Sequence, residues 1–127
     1  MRAYIDSDVL IWHLRGEQKA RDLFIQLRDE EHYDLYTGAM QRAEVVFFMK
    51  PEEEKNTELF LSQIKTQAVD QKNVDDAGVL YRKWNPSHGI DFNDAILAAI
   101  VIQTGGRIYT LNTNHFPMPE INVQKAW

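Results

Sequence analysis

Three acidic residues stand beside segments that are otherwise apolar. Asp6 lies between two short apolar segments, Glu44 lies within a largely apolar stretch, and Asp94 immediately precedes the longest apolar run of the chain, Ala95–Ile102. A carboxylate next to a buried segment is costly unless it is paired, hydrogen-bonded or bound to a metal ion. These three acids are therefore the first candidates for functional residues.

Carboxylates that converge in space would suit Mg²⁺ or Mn²⁺, because both ions prefer oxygen ligands. An ion held in this way can polarise a phosphodiester, lower the pKa of a bound water and stabilise the departing oxygen. The three acids therefore favour metal-assisted hydrolysis of a phosphate ester.

Each acid also has an ordinary structural interpretation. Asp6 and Asp94 can serve simply as helix N-caps, and Glu44 can point outward from its helix into solvent. The observation that favours a shared site is their joint placement at strand ends and helix starts.

Short β-prone segments alternate with helical patterns along the chain. We predict strands at 1–5, 34–37 and 107–111, and an edge strand near 121–123. This alternation favours an α/β fold with a mainly parallel sheet. Ligands of such sheets bind beyond the carboxyl ends of the strands, where Asp6 ends the first strand and Asn112 follows a later one.

The spacing of apolar residues predicts the helices. They are expected at 9–14 with a cap at Ser7 or Asp8, and at 20–27, 40–49, 60–68, 74–84 and 95–104. The helix at 95–104 is apolar on every side, so we expect it to be buried almost all round. The segment 85–89 is predicted to be a turn or loop. By their spacing, most of the large aromatic residues are expected in the core: Trp12, Phe47, Phe48, Phe60 and Trp84.

Composition limits the class of protein. The length of 127 residues fits one domain, and 44% hydrophobic with 26% charged residues is typical of a globular chain. The absence of cysteine excludes disulfides and thiolate metal sites. The net charge of −5 argues against nucleic-acid binding through a basic surface alone, an objection that a bound cation would answer.

No segment predicts membrane insertion or secretion. The longest apolar run has eight residues, whereas a membrane span needs about 20. The first residues contain no apolar stretch of signal-peptide length before they reach Asp6. We therefore expect a cytoplasmic protein with no membrane partner.

Five segments together resemble the PIN-domain ribonucleases, and in particular the VapC-like toxins of toxin–antitoxin pairs. In chain order they are Tyr4–Gly16, Ala43–Val45, Asp76–Tyr81, Asn93–Ala99 and Thr110–Phe116. The resemblance implies a three-layer α/β/α PIN-like domain over residues 1–127, with a central, mainly parallel sheet of four to five strands.

The resemblance also assigns roles to the acids. Asp6, Glu44 and Asp94 are the implied catalytic and metal-binding residues. Asp6 and Asp94 would hold Mg²⁺, or Mn²⁺, most directly. Glu44 would complete the site directly or through water and help to orient the attacking water. The supporting candidates are Ser7, Asp91, Thr110 and Asn112, and the candidate RNA contacts are Arg15, Arg42 and His115.

The last motif departs from the family pattern. Many relatives have an aspartate in it, whereas Asn112 and His115 occupy the candidate positions here. Asn112 can offer a carbonyl oxygen or hold a metal-bound water, but it adds no charge. The number of metal ions therefore stays open between one and two.

Several charged residues near the site have two interpretations. Asp91 either supplies a further carboxylate or acts as a solvent-facing loop or N-cap acid. Asp8 is expected to support the helix start or Arg15 rather than the metal. Arg15 and Arg42 either contact RNA phosphate or the site acids, or form ordinary surface salt bridges.

The activity implied by the resemblance is that of a magnesium-dependent endoribonuclease that cleaves structured RNA, such as tRNA or rRNA. The implied partners are a second copy of the chain and a small antitoxin that covers the site, with some of the large aromatic residues lining a dimer or antitoxin groove. Two other functions remain open. One is an inactive PIN-like module that only binds RNA or protein, and the other is a metal-dependent phosphohydrolase of a small phosphate ester.

Overall fold

Five parallel strands form one sheet in the computed structural model, which describes residues 1–127. The strands are β1 (Arg2–Ile5), β2 (Asp34–Gly38), β3 (Lys65–Gln67), β4 (Arg107–Thr110) and β5 (Asn122–Lys125). Their order across the sheet is β3-β2-β1-β4-β5, and every neighbouring pair is parallel. The prediction of a mainly parallel sheet of four to five strands is confirmed.

Six α-helices connect these strands. They are α1 (Ser7–Leu14), α2 (Gln18–Ile25), α3 (Ala39–Val46), α4 (Glu54–Leu61), α5 (Gln71–His88) and α6 (Phe92–Thr104). A π-helical turn, Gln26–Glu30, extends α2, and 3₁₀ turns cover Pro51–Glu53 and Thr113–His115. None of the helices combines the length and the apolar character that a membrane crossing requires.

The helices cover both faces of the sheet. Successive residues of β1 point to opposite faces, so Ala3 and Ile5 join one buried cluster and Tyr4 joins another. The first cluster packs α1, α2, α3 and α4 against the sheet, and the second packs α5 and α6 against its other face. This arrangement is the predicted three-layer α/β/α architecture.

The apolar helix α6 lies in the second layer. Its residues 94–95 and 97–101 are all buried. The expectation of a helix buried almost all round is therefore confirmed, although Ile102 and Phe92 near its ends remain exposed.

The glycines before β4 allow that strand to lie beside β1. Gly106 has a φ of 110°, and a Cβ at this position would lie 2.6 Å from the carbonyl oxygen of Arg2. Only glycine accepts both that backbone conformation and that close approach. The pairing places Ile5 opposite Tyr109, and therefore brings Asp6 next to Thr110.

The prediction of a helix over 60–68 is wrong beyond Leu61. Helix α4 ends at Leu61, the chain turns, and Lys65–Gln67 form the edge strand β3. The buried side chains of Leu61 and Ile64 mimic a helical repeat, although they lie on either side of the turn. The strand itself is polar and is held through backbone pairing with β2, so no apolar alternation marks it.

The prediction of a turn over 85–89 is also wrong. Helix α5 continues to His88 with Pro86 inside it, and Gly89 ends it in the left-handed conformation with a φ of 61°. Proline lacks one backbone donor and disfavours a helix interior. Here it lies in the last turn, two residues before the final helical residue, His88.

Three of the five large aromatic residues that the sequence predicts in the core lie outside it. Trp12 is 42% exposed, Phe47 is 78% exposed and Phe48 is 82% exposed, whereas Phe60 and Trp84 pack against the two clusters. Helix α3 ends at Val46, so the helical spacing that predicted burial of Phe47 and Phe48 does not continue through them.

Candidate active site

One polar pocket lies at the carboxyl edge of the sheet. Its volume is about 260 Å³, and it is lined by Asp6, Ser7, Asp8, Ile11, Glu44, Asp91, Asp94, Asn112 and His115. The structure therefore brings together the three acids singled out in the sequence. It also places most of the supporting candidates around them, and Thr110 lies directly behind Asp6.

Asp6 joins β1 to α1 and is the N-cap of that helix. Its Oδ1 accepts a hydrogen bond of 2.8 Å from the Ser7 backbone N–H, and its Oδ2 accepts one of 2.9 Å from the Thr110 hydroxyl. The residue is only 7% exposed. The N-cap and functional interpretations of Asp6 are thus compatible, because the capping carboxylate also lines the pocket.

The pKa of Asp6 is raised to about 7. Burial is the main cause, and the negative charge of Asp8 adds to it. The hydrogen bonds from Thr110 and Ser7 oppose the shift without cancelling it. A cation bound next to Asp6 would stabilise the charged form of its carboxylate and so offset the cost of burying it.

Glu44 points into the pocket from α3 and does not face solvent. Its Oε2 accepts a 2.7 Å hydrogen bond from the Ser7 hydroxyl, and its Oε1 accepts a 3.1 Å hydrogen bond from Asn93 Nδ2. Both carboxylate oxygens are therefore oriented. Asn93 is not among the site residues predicted from the sequence. Its position next to Asp94, in the motif that resembles the family, was the available signal.

Asp94 lies in the first turn of α6 and forms a capping box with Asp91. The backbone N–H of Asp94 donates to Asp91 Oδ1 at 2.8 Å, and that of Asp91 donates to Asp94 Oδ2 at 3.2 Å. Burial raises the pKa of Asp94 to about 7, and the charges of Asp91 and Glu44 add to the effect. Asp91 is thus an exposed N-cap whose carboxylate also reaches the pocket.

The candidate RNA contacts lie at different distances from the acids. His115 Nδ1 lies 3.3 Å from Asp94 Oδ2, inside the pocket. Arg15 lines a neighbouring groove and places its guanidinium 5.6 Å from the centre of the Trp12 ring. Arg42 donates to the Thr66 hydroxyl and does not line the pocket. Neither arginine forms a salt bridge, which was the alternative interpretation of both residues.

Asp8 connects α1 to the loop after β4. Its Oδ1 accepts from the Val9 backbone N–H at 2.7 Å, and its Oδ2 accepts from the Leu111 backbone N–H at 3.0 Å. The same Oδ2 accepts from the Thr110 hydroxyl at 3.2 Å and from Asn112 Nδ2 at 3.3 Å. Asp8 therefore supports the helix start, as expected, and the last motif rather than Arg15.

The residues fit a hard divalent cation by the chemistry of their donors. No three His, Cys, Asp or Glu side chains form a ready-made metal cage. Mg²⁺ does not need one, because it usually keeps several waters and binds through one or two carboxylates together with substrate phosphate. The pocket offers oxygen donors from Asp6, Glu44 and Asp94. The pKa values of Asp6 and Asp94 are raised mainly by burial and further by neighbouring carboxylates.

The chain is similar in sequence to known proteins. The PIN domain family matches residues 3–119. Ribonuclease VapC10 of Mycobacterium tuberculosis is 32% identical over 117 residues, which cover 91% of this chain and 86% of the relative. Ribonuclease VapC19 of the same organism is 30% identical over 115 residues, with coverage of 90% and 91%.

Solved structures share the fold at lower sequence identity. A chain of a toxin–antitoxin complex from Klebsiella pneumoniae superimposes with a TM-score of 0.78 at 19% identity, covering 98% of both chains. A chain of VapBC2 from Rickettsia felis, bound to a DNA fragment from its promoter, gives a TM-score of 0.78 at 16% identity with the same coverage. The architecture described above is therefore that of these chains.

Proposed function

Because this chain belongs to the PIN-domain family, we propose that it is a cation-dependent endoribonuclease and the toxin of a toxin–antitoxin pair. The observation that carries the proposal is the convergence of Asp6, Glu44 and Asp94 in one pocket at the carboxyl edge of the sheet. The two curated relatives are ribonucleases, which supports RNA as the substrate.

We propose different roles for the three acids. Asp6 and Asp94 would hold the cation, which we propose is Mg²⁺, with Mn²⁺ as the natural substitute. When bound, the ion supplies polarisation of the phosphodiester and a lower pKa for a coordinated water. Glu44 accepts the proton of the attacking water, and Ser7 and Asn93 keep its carboxylate turned toward the pocket.

Structured RNA such as tRNA or rRNA is the proposed substrate, and its contacts are expected on two sides of the acids. His115 lies inside the pocket, where its imidazole can donate to a phosphate oxygen. Arg15 lies in the neighbouring groove, which shares Ile11 and Glu44 with the pocket. The RNA backbone can therefore pass from Arg15 to His115 across the acids.

The test is cleavage of structured RNA by the purified chain. We expect cleavage with Mg²⁺ or Mn²⁺ and none after the cations are removed with a chelator, with activity restored when Mg²⁺ is added back. Undiminished cleavage in the chelator would contradict the cation requirement. Hydrolysis of a generic phosphate monoester with RNA left intact would instead identify a small-molecule phosphohydrolase.

An antitoxin is the proposed occupant of the groove beside the active site. This groove has a volume of about 320 Å³ and is lined mainly by α1, α3 and the segment leading into α4. Phe48 lines it and is 82% exposed. Because the groove and the pocket share Ile11 and Glu44, a segment bound in the groove would also cover the acids.

Replacing Phe48 with serine is expected to release the enzyme from its antitoxin. The variant should keep the wild-type kcat for RNA, because Phe48 does not line the acidic pocket. We expect the antitoxin to be encoded by a short reading frame immediately upstream of the gene for this chain. The affinity of the variant for that protein should fall at least about 10-fold, since buried aromatic anchors dominate such interfaces. Binding is measured by calorimetry, with Val79→Ser, an exposed position on α5, as the control. Unchanged affinity would place the antitoxin elsewhere.

We propose that a second copy of the chain binds the layer formed by α5 and α6, on the other face of the sheet from the antitoxin groove. Val74, Tyr81 and Phe92 are exposed around an apolar groove between α5 and α6. We expect a homodimer in sedimentation equilibrium and a monomer for Phe92→Glu, because a charge in an apolar interface lacks a partner. Leu59→Glu, at an exposed apolar position on α4 in the other layer, should stay dimeric. A monomeric wild type, or a dimeric Phe92→Glu, would contradict this assignment.

A further inference from the structure

More groups donate hydrogen bonds to the carboxylate of Asp8 than to any other acid of the pocket. Its two oxygens accept from the backbone N–H groups of Val9 and Leu111, at 2.7 and 3.0 Å. An asparagine at this position would turn its NH₂ group toward one of these donors. Among side chains of this size, only a carboxylate accepts on both sides, so these contacts favour aspartate over asparagine at position 8.

The Asp8 carboxylate determines which side chain fits at position 112. Asn112 Nδ2 donates to Asp8 Oδ2 at 3.3 Å. An aspartate at 112 has the same shape as asparagine but would present an oxygen to Asp8 instead of an N–H. Two carboxylates would then repel each other at hydrogen-bond distance.

The Asp8–Asn112 contact also reaches Asp6 through Thr110. The Thr110 hydroxyl lies 2.9 Å from Asp6 Oδ2 and 3.2 Å from Asp8 Oδ2, and it accepts from the Asn112 backbone N–H at 3.0 Å. A hydroxyl has one proton to donate, so it is shared between the two carboxylates. The position of the loop 110–112 therefore decides how Asp6 is hydrogen-bonded.

We propose that Asp8 is a positioning residue that forms a matched carboxylate–amide pair with Asn112, and that this pair holds the loop 110–112 so that Thr110 orients Asp6. An acid at position 112 is incompatible with Asp8. The effect of the pair on catalysis rests on the proposed nuclease function, whereas the pair itself does not.

A double-mutant cycle measured by thermal unfolding in a chelator tests the pair. Asn112→Asp is expected to lower Tm by several degrees. Asn114→Asp makes the same chemical change two residues away, at an exposed side chain, and should leave Tm within about one degree. Asp8→Asn should lower Tm as well. Introducing Asn112→Asp into Asp8→Asn should then cost far less than it does in the wild type, because the repulsion is gone.

Catalysis provides the second measurement. Asp8→Asn and Asn112→Asp should each lower kcat for RNA by about 10-fold or more, the usual effect of groups that orient metal ligands. The KM for RNA should change little for Asp8→Asn, and Asn114→Asp should have wild-type kcat. In the Asp8→Asn background, Asn112→Asp should lower kcat no further.

The outcomes separate the pair from the proposed function. An additive cycle in Tm, or an Asn112→Asp variant as stable as Asn114→Asp, would overturn the pair. If wild-type protein cleaves no RNA but the cycle is non-additive, the nuclease function fails and the pair stands. A non-additive cycle with wild-type kcat in both single variants would overturn the positioning role.

Discussion

Asp94→Asn is expected to abolish RNA cleavage and, at the same time, to stabilise the protein in the absence of divalent cations at pH 8. The activity falls because one of the two most direct oxygen ligands of the cation loses its charge. We expect a decrease of at least about 100-fold, since even groups that only orient metal ligands contribute 10- to 100-fold. The stability rises because a buried, poorly compensated carboxylate becomes a neutral amide.

The helix start should survive this substitution. Asp94 occupies the third position of α6 and completes a capping box with Asp91. In α5 the same position is held by Asn73, which completes the equivalent capping box with Asp70. An asparagine at this position is therefore compatible with the cap, and loss of activity would not reflect unfolding.

The measurement combines RNA cleavage in Mg²⁺ with chemical unfolding in a chelator. The free energy of unfolding at pH 8 should increase by about 1–3 kcal/mol, the usual cost of a buried polar group without a partner. Asp70→Asn is the matched control, because it changes a helix-start acid whose capping partner, Asn73, contacts Gln103 near the far end of α6. Cleavage at the wild-type rate by Asp94→Asn would exclude Asp94 from the site.

The stability of the cation-free protein is expected to fall as the pH rises from about 4 to about 7. Asp6 and Asp94 have pKa values of about 7 in the folded chain, against an ordinary value of 3.8. Between these two pH values the folded state binds more protons than the unfolded state, so the free energy of unfolding decreases with rising pH. Above about pH 7 both states are deprotonated at these residues, and their contribution becomes constant.

Added Mg²⁺ should reverse this trend. The cation competes with protons for the same carboxylates, so the increase in Tm on adding Mg²⁺ should be larger at pH 8 than at pH 5. We expect a pH-dependent loss of at least about 2 kcal/mol in the chelator, because one unit of pKa shift corresponds to about 1.4 kcal/mol.

The control is the double variant Asp6→Asn/Asp94→Asn. Its stability in chelator should vary much less between pH 4 and pH 7, and Mg²⁺ should raise its Tm little at either pH. A wild-type protein that gains stability steadily from pH 4 to pH 8 in the chelator would show that the two acids are not strained in the folded state.

Much of the fold follows from local patterns in the sequence. The continuous apolar run after Asp94 requires a helix that is buried on all sides, and α6 is that helix. The apolar segment before Asp6 predicts a strand, and β1 lies in the middle of the sheet. Parallel strands align their carboxyl ends, so the sequence alone predicts Asp6 at the edge where the pocket forms.

The sequence also identifies the acids but not how they are held. Asp6, Glu44 and Asp94 were selected because carboxylates in apolar surroundings need a partner, and the structure brings them together in one pocket. Their hydrogen-bond partners depend on contacts between distant segments. Thr110 and Asp8, for example, are 102 residues apart in the chain, and no local pattern relates them.

Tertiary structure alone decided the remaining features. The polar strand β3 exists because the open edge of β2 supplies backbone partners for it. Phe48 is exposed because α3 ends before it, and its side chain lines the groove beside the acids. Local sequence thus determined most of the helices and strands, although not β3, and identified the acids that lie next to the core. Which donors meet those acids depended on how the sheet brought the ends of β1 and β4 together.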